Sequence, residues 1–364
     1  MGAGAAALWG LSARVSLFDP GAVTRPFGAS GNALVAPLAR WDSVWYLAIA
    51  NDGYPADDVR RAAFFPLYPL LVRFAGAIVG SPLVAGALVS LACFAVALVV
   101  LQRLTEIELG APAARMTVWA LALFPGAVFF SAVYSEALYL ALSVGCIYAA
   151  RTNRWAWAGC LGALGAATRS AGLLLVVPLA VMWMSNPARR DRRLGDAAWI
   201  ALVPVGLAGF CAALAVGGGD VFAPLHAQDI WFRHFAGPFV GLWDGTAAAW
   251  RGLHHLDDPA SRADIVLFSF LVAAVPAVVG TLRRLPPAYG AYVVAALALP
   301  LSYPVGPQPL MSLPRFLAVL FPLFMWLGAW MADGGRMRRA AVLAPSAAGL
   351  AIVSAVFATW HWFA

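Results

Sequence analysis

Asp42 stands in the run Arg40-Trp41-Asp42-Ser43-Val44-Trp45-Tyr46, between two tryptophans and two residues from an arginine. The chain is 62% hydrophobic and 11% charged, so an acid in such surroundings calls for a specific role. A carboxylate there can take a proton from a hydroxyl group, which makes Asp42 the candidate general base. Glu136 is one of three glutamates and the only one outside 103–115; it follows Phe129-Phe130-Ser131-Ala132-Val133-Tyr134-Ser135. Arg169, in Ala167-Thr168-Arg169-Ser170, and Arg315, in Met311-Ser312-Leu313-Pro314-Arg315-Phe316, are cations at the mouths of apolar runs. Guanidinium groups so placed suit an anionic ligand such as a phosphate.

Each feature has a plainer reading. Asp42 could cap a helix or pair with Arg40. Glu136 would open a helix, where the N-terminal dipole favours a carboxylate in any case. Arg169 could pair with Glu136, bind a phosphate or snorkel to the headgroups, and Arg315 could snorkel too. Asn51-Asp52-Gly53-Tyr54-Pro55 reads as a turn that ends a helix, and Asp57-Asp58-Val59-Arg60-Arg61 as a solvated charge run. Gln228-Asp229-Ile230-Trp231-Phe232-Arg233-His234 has the pattern of an amphipathic interfacial helix. His226, His234, His254 and His255 lack a zinc-type spacing.

The elements that must position these groups are apolar helices. Mean hydropathy is +0.80, and apolar runs recur along all 364 residues. The runs do not alternate polar and apolar residues, which excludes a β-barrel and gives an all-α polytopic membrane protein in one domain, 1–364. No cleavable signal peptide is expected, because the first apolar stretch lacks a basic leader. Net charge is +7 with pI about 9.6, and every basic residue outside the histidines is arginine. The arginines fall in short clusters between apolar runs, a topology signal rather than a nucleic-acid stripe. Cys93, Cys146, Cys160 and Cys211 sit inside apolar runs and read as packing residues.

Apolar runs at 2–18, 82–102, 112–130, 135–150, 155–168, 170–184, 197–216, 263–281, 288–303, 314–331 and 340–362 give about eleven spans, with the N-terminus inside and the C-terminus outside. The run 64–79 opens with Pro66 and Pro69 and carries Arg73; it reads as a helix lying in the outer interface. Residues 41–51 read likewise, with Trp41, Val44, Trp45 and Ala48 on a lipid-facing stripe. If 64–79 does not cross, the clusters Arg103/Arg115, Arg151/Arg154, Arg189/Arg190/Arg192/Arg193, Arg283/Arg284 and Arg336/Arg338/Arg339 share the cytoplasmic side. Loops 19–81 and 217–262 are then extracytoplasmic.

Arg40–Tyr46, Asn51-Asp52-Gly53-Tyr54, Phe64-Phe65-Pro66-Leu67-Tyr68-Pro69, Phe129–Glu136, Thr168-Arg169-Ser170 and Leu313-Pro314-Arg315 together resemble the GPI mannosyltransferase II (PIG-V) family and its bacterial relatives, within the GT-C class of membrane glycosyltransferases. The resemblance implies a GT-C-type fold, with an acidic residue in the first extracytoplasmic loop. It implies a polyprenyl-phosphate mannose donor as co-substrate, and inversion at the anomeric carbon. The expected acceptor is a lipid-linked or cell-envelope glycan, and the expected location is the cell membrane with the active site extracytoplasmic. With Asp42 catalytic, the expected substrate-binding set is Arg40, Trp41, Trp45, Tyr46, Asp52, Tyr68, Tyr134, Glu136, Arg169, Gln228, Trp231, Arg233 and Arg315. No cofactor, metal ligand or nucleic-acid partner is expected.

The competing functions are a GT-C transferase of another sugar, such as arabinose or glucose, and a lipid-linked sugar flippase or transporter. Transporters place ionisable groups at the midplane and show internal repeats. Here the acids gather towards one face, and no repeat of the apolar pattern is evident.

Overall fold

The computed structural model of the chain describes residues 35–185 and 194–362. The expected first span, 2–18, and the cluster Arg189/Arg190/Arg192/Arg193 lie outside them. Every extended element among the described residues is helical; the only β pairing among them is an isolated bridge between Arg233 and Val305.

The chain opens with α1 (Ser43–Asp52) and α2 (Leu67–Val79), followed by the long α3 (Pro82–Leu109). After α4 (Ala111–Ala122), Pro125 converts the path to a 3₁₀ turn over Pro125–Phe130 before α5 (Glu136–Arg151) begins. Next come α6 (Trp155–Ala166), a 3₁₀ stretch over Ser170–Leu175, α7 (Val176–Met184), α8 (Leu194–Ile200) and α9 (Val203–Val216). The second long loop carries α10 (Ala223–Ile230) and α11 (Val240–Gly252). The remainder is α12 (Pro259–Arg284), α13 (Pro287–Ser302), the short α14 (Leu313–Ala318), α15 (Phe321–Ala332) and α16 (Arg336–Ala358).

Among the described residues, four segments are long and apolar enough to cross a membrane: Pro82–Leu109, Gly195–Val216, Pro259–Arg284 and Arg336–Ala358. These are the outer helices. They expose Leu88, Leu91, Val96 and Val99 on α3 and Val272, Val275 and Val279 on α12, as lipid-facing surfaces do. The central helices are shorter and buried nearly all round, as Ala137, Tyr139, Leu140, Val144 and Ile147 of α5 and Phe321, Phe324 and Met325 of α15 show. A 12-residue helix such as α15 is only about 18 Å long. The run 112–130, continuous by hydropathy, changes to a 3₁₀ turn at Pro125, and the run 170–184 is one helical segment that opens with a 3₁₀ stretch.

Side-chain contacts define two ends. At one, Arg151 Nε meets Glu108 at 2.6 Å, Tyr289 donates to Glu108 at 3.0 Å, and Arg284 pairs with Asp333 at 3.0 Å. Arg338 and Arg339 bond the last carbonyls of α15 at this end. α3 and α5 both run from the opposite end to this one, since Glu108 and Arg151 close their C-termini. The opposite end holds Glu136.

Helix α2 does not lie flat across the bundle. Gly80, in the left-handed region, and Ser81, capping Val84 N, reverse the chain. Tyr68 then reaches back to Gly86 O at 3.0 Å and Ser90 Oγ at 2.8 Å, so α2 runs antiparallel beside the first part of α3 only. Its other side exposes Leu70, Phe74 and Ile78. The tryptophan stripe of α1 is also corrected: no residue of 41–50 is exposed, and Val44 is buried. Aromatic neighbours from distant segments cover the face that the sequence assigned to lipid.

Candidate active site

Four charged side chains from four segments form one chain of ion pairs. Glu136 is the first residue of α5 and is completely buried. Its Oε1 accepts from Arg169 Nη1, just before the Ser170 turn, and from Arg315 Nε on α14. Arg315 Nη1 reaches on to Asp42 Oδ2. One guanidinium thus joins two carboxylates, and it lies 4.9 Å from the Tyr134 ring centroid and 5.6 Å from that of Phe129.

Local structure explains how these groups meet. Asp42 precedes α1 but its carboxylate makes no capping bond, which leaves it free for Arg315. Both plain readings of Asp42, helix cap or Arg40 partner, are thereby replaced by a residue 273 positions away. The backbone N–H of Asp42 donates to Tyr134 Oη at 3.1 Å, and that hydroxyl donates to Arg40 O at 3.1 Å. Tyr46 and Ser135 hydroxyls share a 2.7 Å bond, and Arg169 Nη1 donates to Ser135 Oγ at 3.3 Å. Pro314 opens α14 beside the Pro125–Phe130 turn, where a Cβ on Gly126 would sit 2.7 Å from Pro314 O. Only glycine allows that approach, which brings Arg315 to Glu136.

The side-chain burial divides the acids. Glu136 is 0% exposed between two guanidiniums, whereas Asp42 is 21% exposed. Glu136 Oε2 and Ser43 Oγ are buried without a hydrogen-bond partner. Glu136 is therefore suited to holding arginines in place, and Asp42 is the acid that an incoming group can reach.

Several other expected residues surround this cluster. Trp45 stacks on Phe64 at 5.7 Å and meets Trp231 edge-on at 5.8 Å, with Arg60 over its ring at 5.3 Å. Arg233 donates to Tyr303 O at 3.1 Å and Met311 O at 3.2 Å, which ties the second loop to the start of α14. Burial, reinforced by the nearby positive charge of Arg315, lowers its pKa to about 10. Burial lowers Arg40 likewise, to about 10. Tyr68 supports from below, its ring edge-on to Tyr46 at 5.1 Å.

Two of the expected residues are not brought to this cluster. Asp52 lies exposed at the far end of α1, 3.7 Å from Arg61, and takes no part in the cluster. Gln228 bonds Pro224 O of its own helix at 3.4 Å, again outside the cluster. Asp58, read as part of a solvated charge run, is instead mostly covered and paired: burial raises its pKa, but bonds from Arg60 and Arg61 outweigh this and hold it low.

Sequence reasoning missed the C-terminal segment. Trp360 and Trp362 pack edge-on to Trp41 at 5.9 and 5.5 Å, and Arg40 Nε donates to Ala358 O at 3.0 Å. The only sequence signal is a pair of tryptophans at the end of the last apolar run, which reads as an interfacial belt.

A cavity lined by Asp229, Phe232, Arg233, His234, Gly306 and Pro307 opens beside Arg233 and stops short of Asp42. Among the described residues, no three histidine, cysteine or acidic side chains are grouped to hold a metal ion. The ion-pair chain is filled by its own side chains, so a ligand must displace one of its contacts to reach Asp42.

Residues 27–186 match the family described as mannosyltransferase (PIG-V). The GPI alpha-1,6-mannosyltransferase 2 of Cricetulus griseus is 34% identical over 157 residues, 39% of this chain and 31% of that protein. The matched stretch of this chain thus spans under a third of the relative's length. Asp42, Glu136 and Arg169 lie inside the matched region 27–186; Arg315 and the C-terminal tryptophans lie outside it.

Proposed function

We propose that this helical membrane protein, PIG-V-like over residues 27–186, is a mannosyltransferase whose reaction centre is the Asp42–Arg315–Glu136–Arg169 chain. The observation that carries the reading is the bridging guanidinium: Arg315 holds the partly exposed acid Asp42 and the buried acid Glu136 at once.

The donor in this reading is a polyprenyl-phosphate mannose. Its phosphate competes with Asp42 for Arg315, while Glu136 keeps Arg315 and Arg169 aimed at the site. With Arg315 turned to the phosphate, Asp42 takes the proton of the acceptor hydroxyl. The acceptor oxygen attacks the anomeric carbon from the face opposite the phosphate, and the C–O bond to phosphate breaks. The configuration inverts, by analogy with inverting glycoside chemistry. The leaving lipid phosphate needs no acid, because Arg315 and Arg169 neutralise its charge. The acceptor is a lipid-linked or cell-envelope glycan, and the chemistry takes place on the extracytoplasmic face of the cell membrane.

The GT-C-type fold with about eleven crossings belongs to the same proposal. It is supported by the alternation of segments between the two ends and by the arginine pairs at one of them.

The test is transfer of labelled mannose from polyprenyl-phosphate mannose to a membrane glycolipid extract by purified protein. Asp42→Asn should retain the fold and lose roughly 10²–10⁴-fold in rate. Near-wild-type turnover would place the base elsewhere. A transferase of another sugar would show itself in the same assay run with polyprenyl-phosphate arabinose or glucose.

A further inference from the structure

The turn that presents Asp42 is held from the opposite end of the sequence. Trp41 adopts φ 55°, a left-handed conformation that a bulky side chain rarely takes. Such a conformation persists only where neighbours over-determine it. Here such neighbours stand on two sides. On one side Tyr134 Oη takes the Asp42 N–H and gives to Arg40 O, 3.1 Å each. On the other, the Arg40 guanidinium donates to Ala358 O at 3.0 Å and lies 4.9 Å from the Trp360 ring centroid. Trp41 itself is cupped edge-on by Trp360 and Trp362. Trp360 is also left-handed, at φ 63°, turning the chain back from the end of α16 onto Trp41. Phe357 completes the contact against Phe129 at 5.8 Å and Tyr134 at 5.8 Å, the two rings beneath Arg315.

We propose that Trp360 and Trp362 are positioning residues that clamp the Arg40-Trp41-Asp42 turn and so hold the Asp42 carboxylate at the reaction centre. The inference rests on Asp42 being the base of the proposed reaction. Removing the clamp takes away contacts that oppose relaxation of Trp41 to negative φ. Such a change rotates the following peptide and swings Asp42 away from the reacting atoms. A displacement of about 1 Å at a reacting group can cost roughly a hundredfold in rate. Arg169 and Glu136 do not touch the clamp, so the donor phosphate should still bind.

The experiment compares wild type, Asp42→Asn, Trp360→Ala, Trp362→Ala, Trp360→Leu and Trp360→Phe in detergent or lipid nanodiscs. Hydrogen exchange of a peptide covering 40–46 reads the turn without any assay of activity. Trp360→Ala should speed exchange there roughly tenfold or more and leave the α5 peptides unchanged. In the transfer assay its kcat should fall roughly ten- to a hundredfold, with the donor KM within about twofold of wild type. Trp360→Phe keeps a ring for Trp41 and Arg40 and should restore most of kcat; Trp360→Leu, similar in bulk, should not. If alanine at 360 prevents folding, the Leu and Phe pair carries the comparison at equal melting temperature. Unchanged exchange at 40–46 in the Ala or Leu variant overturns the clamp whatever the activity. So does equal kcat in the Leu and Phe variants. Turnover that survives Asp42→Asn, or a wild type that transfers no mannose, overturns the function reading instead, while the exchange result still decides the clamp.

Discussion

Arg315 and Glu136 are 179 residues apart in sequence and ion-paired in the interior, with Glu136 wholly buried. The second guanidinium on the same carboxylate oxygen, from Arg169, makes Glu136 the common anchor of both cations. Glu136→Gln keeps the shape but leaves the buried Arg315 and the partly buried Arg169 with one carboxylate, Asp42, in place of two. Removing one partner of a buried pair typically costs about 3–5 kcal/mol. The expected result is a clear drop in the melting temperature of the purified protein, together with loss of donor binding. Wild-type stability in this variant would mean that the arginines find other partners and that the pairing carries little weight.

Arg315 should not tolerate lysine. Its Nε serves Glu136 while Nη1 serves Asp42, two directions that a planar fork covers and one ammonium does not. Arg315→Lys should raise the donor KM and lower kcat together, with the loss in donor binding amounting to a few kcal/mol at most, the scale of charge-assisted hydrogen bonds. Isothermal titration with a non-transferable polyprenyl phosphate would separate the binding part. Donor affinity equal to wild type in both Arg315→Lys and Arg169→Ala would remove the arginines from the phosphate site.

What is legible in the sequence follows from the medium. In an apolar chain each charge at a helix mouth is conspicuous, so residue type and position alone single out Asp42, Glu136, Arg169 and Arg315. Pairing with Glu136 is one of the open alternatives for Arg169, and the geometry selects it. Which acid Arg315 meets is not legible, because the pairing depends on the α14 turn approaching Pro125–Phe130 across Gly126. Asp52 and Gln228 depart from expectation for local reasons: one ends a helix in solvent and the other bonds its own turn. Trp41 and Trp45 read as a lipid-facing belt, yet Trp360, Trp362, Phe64 and Trp231 cover them. Tryptophan suits both a headgroup layer and an aromatic core, and spacing alone does not separate the two. The same holds for apolar runs: hydropathy marks where helices lie, but the 3₁₀ turn at Pro125, inside the run 112–130, decides where α4 ends.

The two ends of the bundle should face opposite sides of the membrane. The contacts of Arg151 with Glu108 and of Arg284 with Asp333 gather basic residues at one end, while Glu136 and the segments that pair with it mark the other. On the proposed reading, the bias of arginine towards the cytoplasm would put the first end inside and the Asp42 cluster outside. Helix α2 matters most to this assignment, because a crossing there would move residues before Leu67 to the arginine side. Its antiparallel packing on only the first part of α3, fixed by Tyr68 on Gly86 and Ser90, argues against a crossing. Single cysteines at the exposed positions Asp57, Arg154, Asp257 and Arg336 would test it. The background for this test would have Cys93, Cys146, Cys160 and Cys211 replaced. An impermeant maleimide added to intact cells should label positions 57 and 257 and reach 154 and 336 only after permeabilisation. Labelling of 57 and 154 from the same side would sink the threading, and with it the extracytoplasmic placement of Asp42.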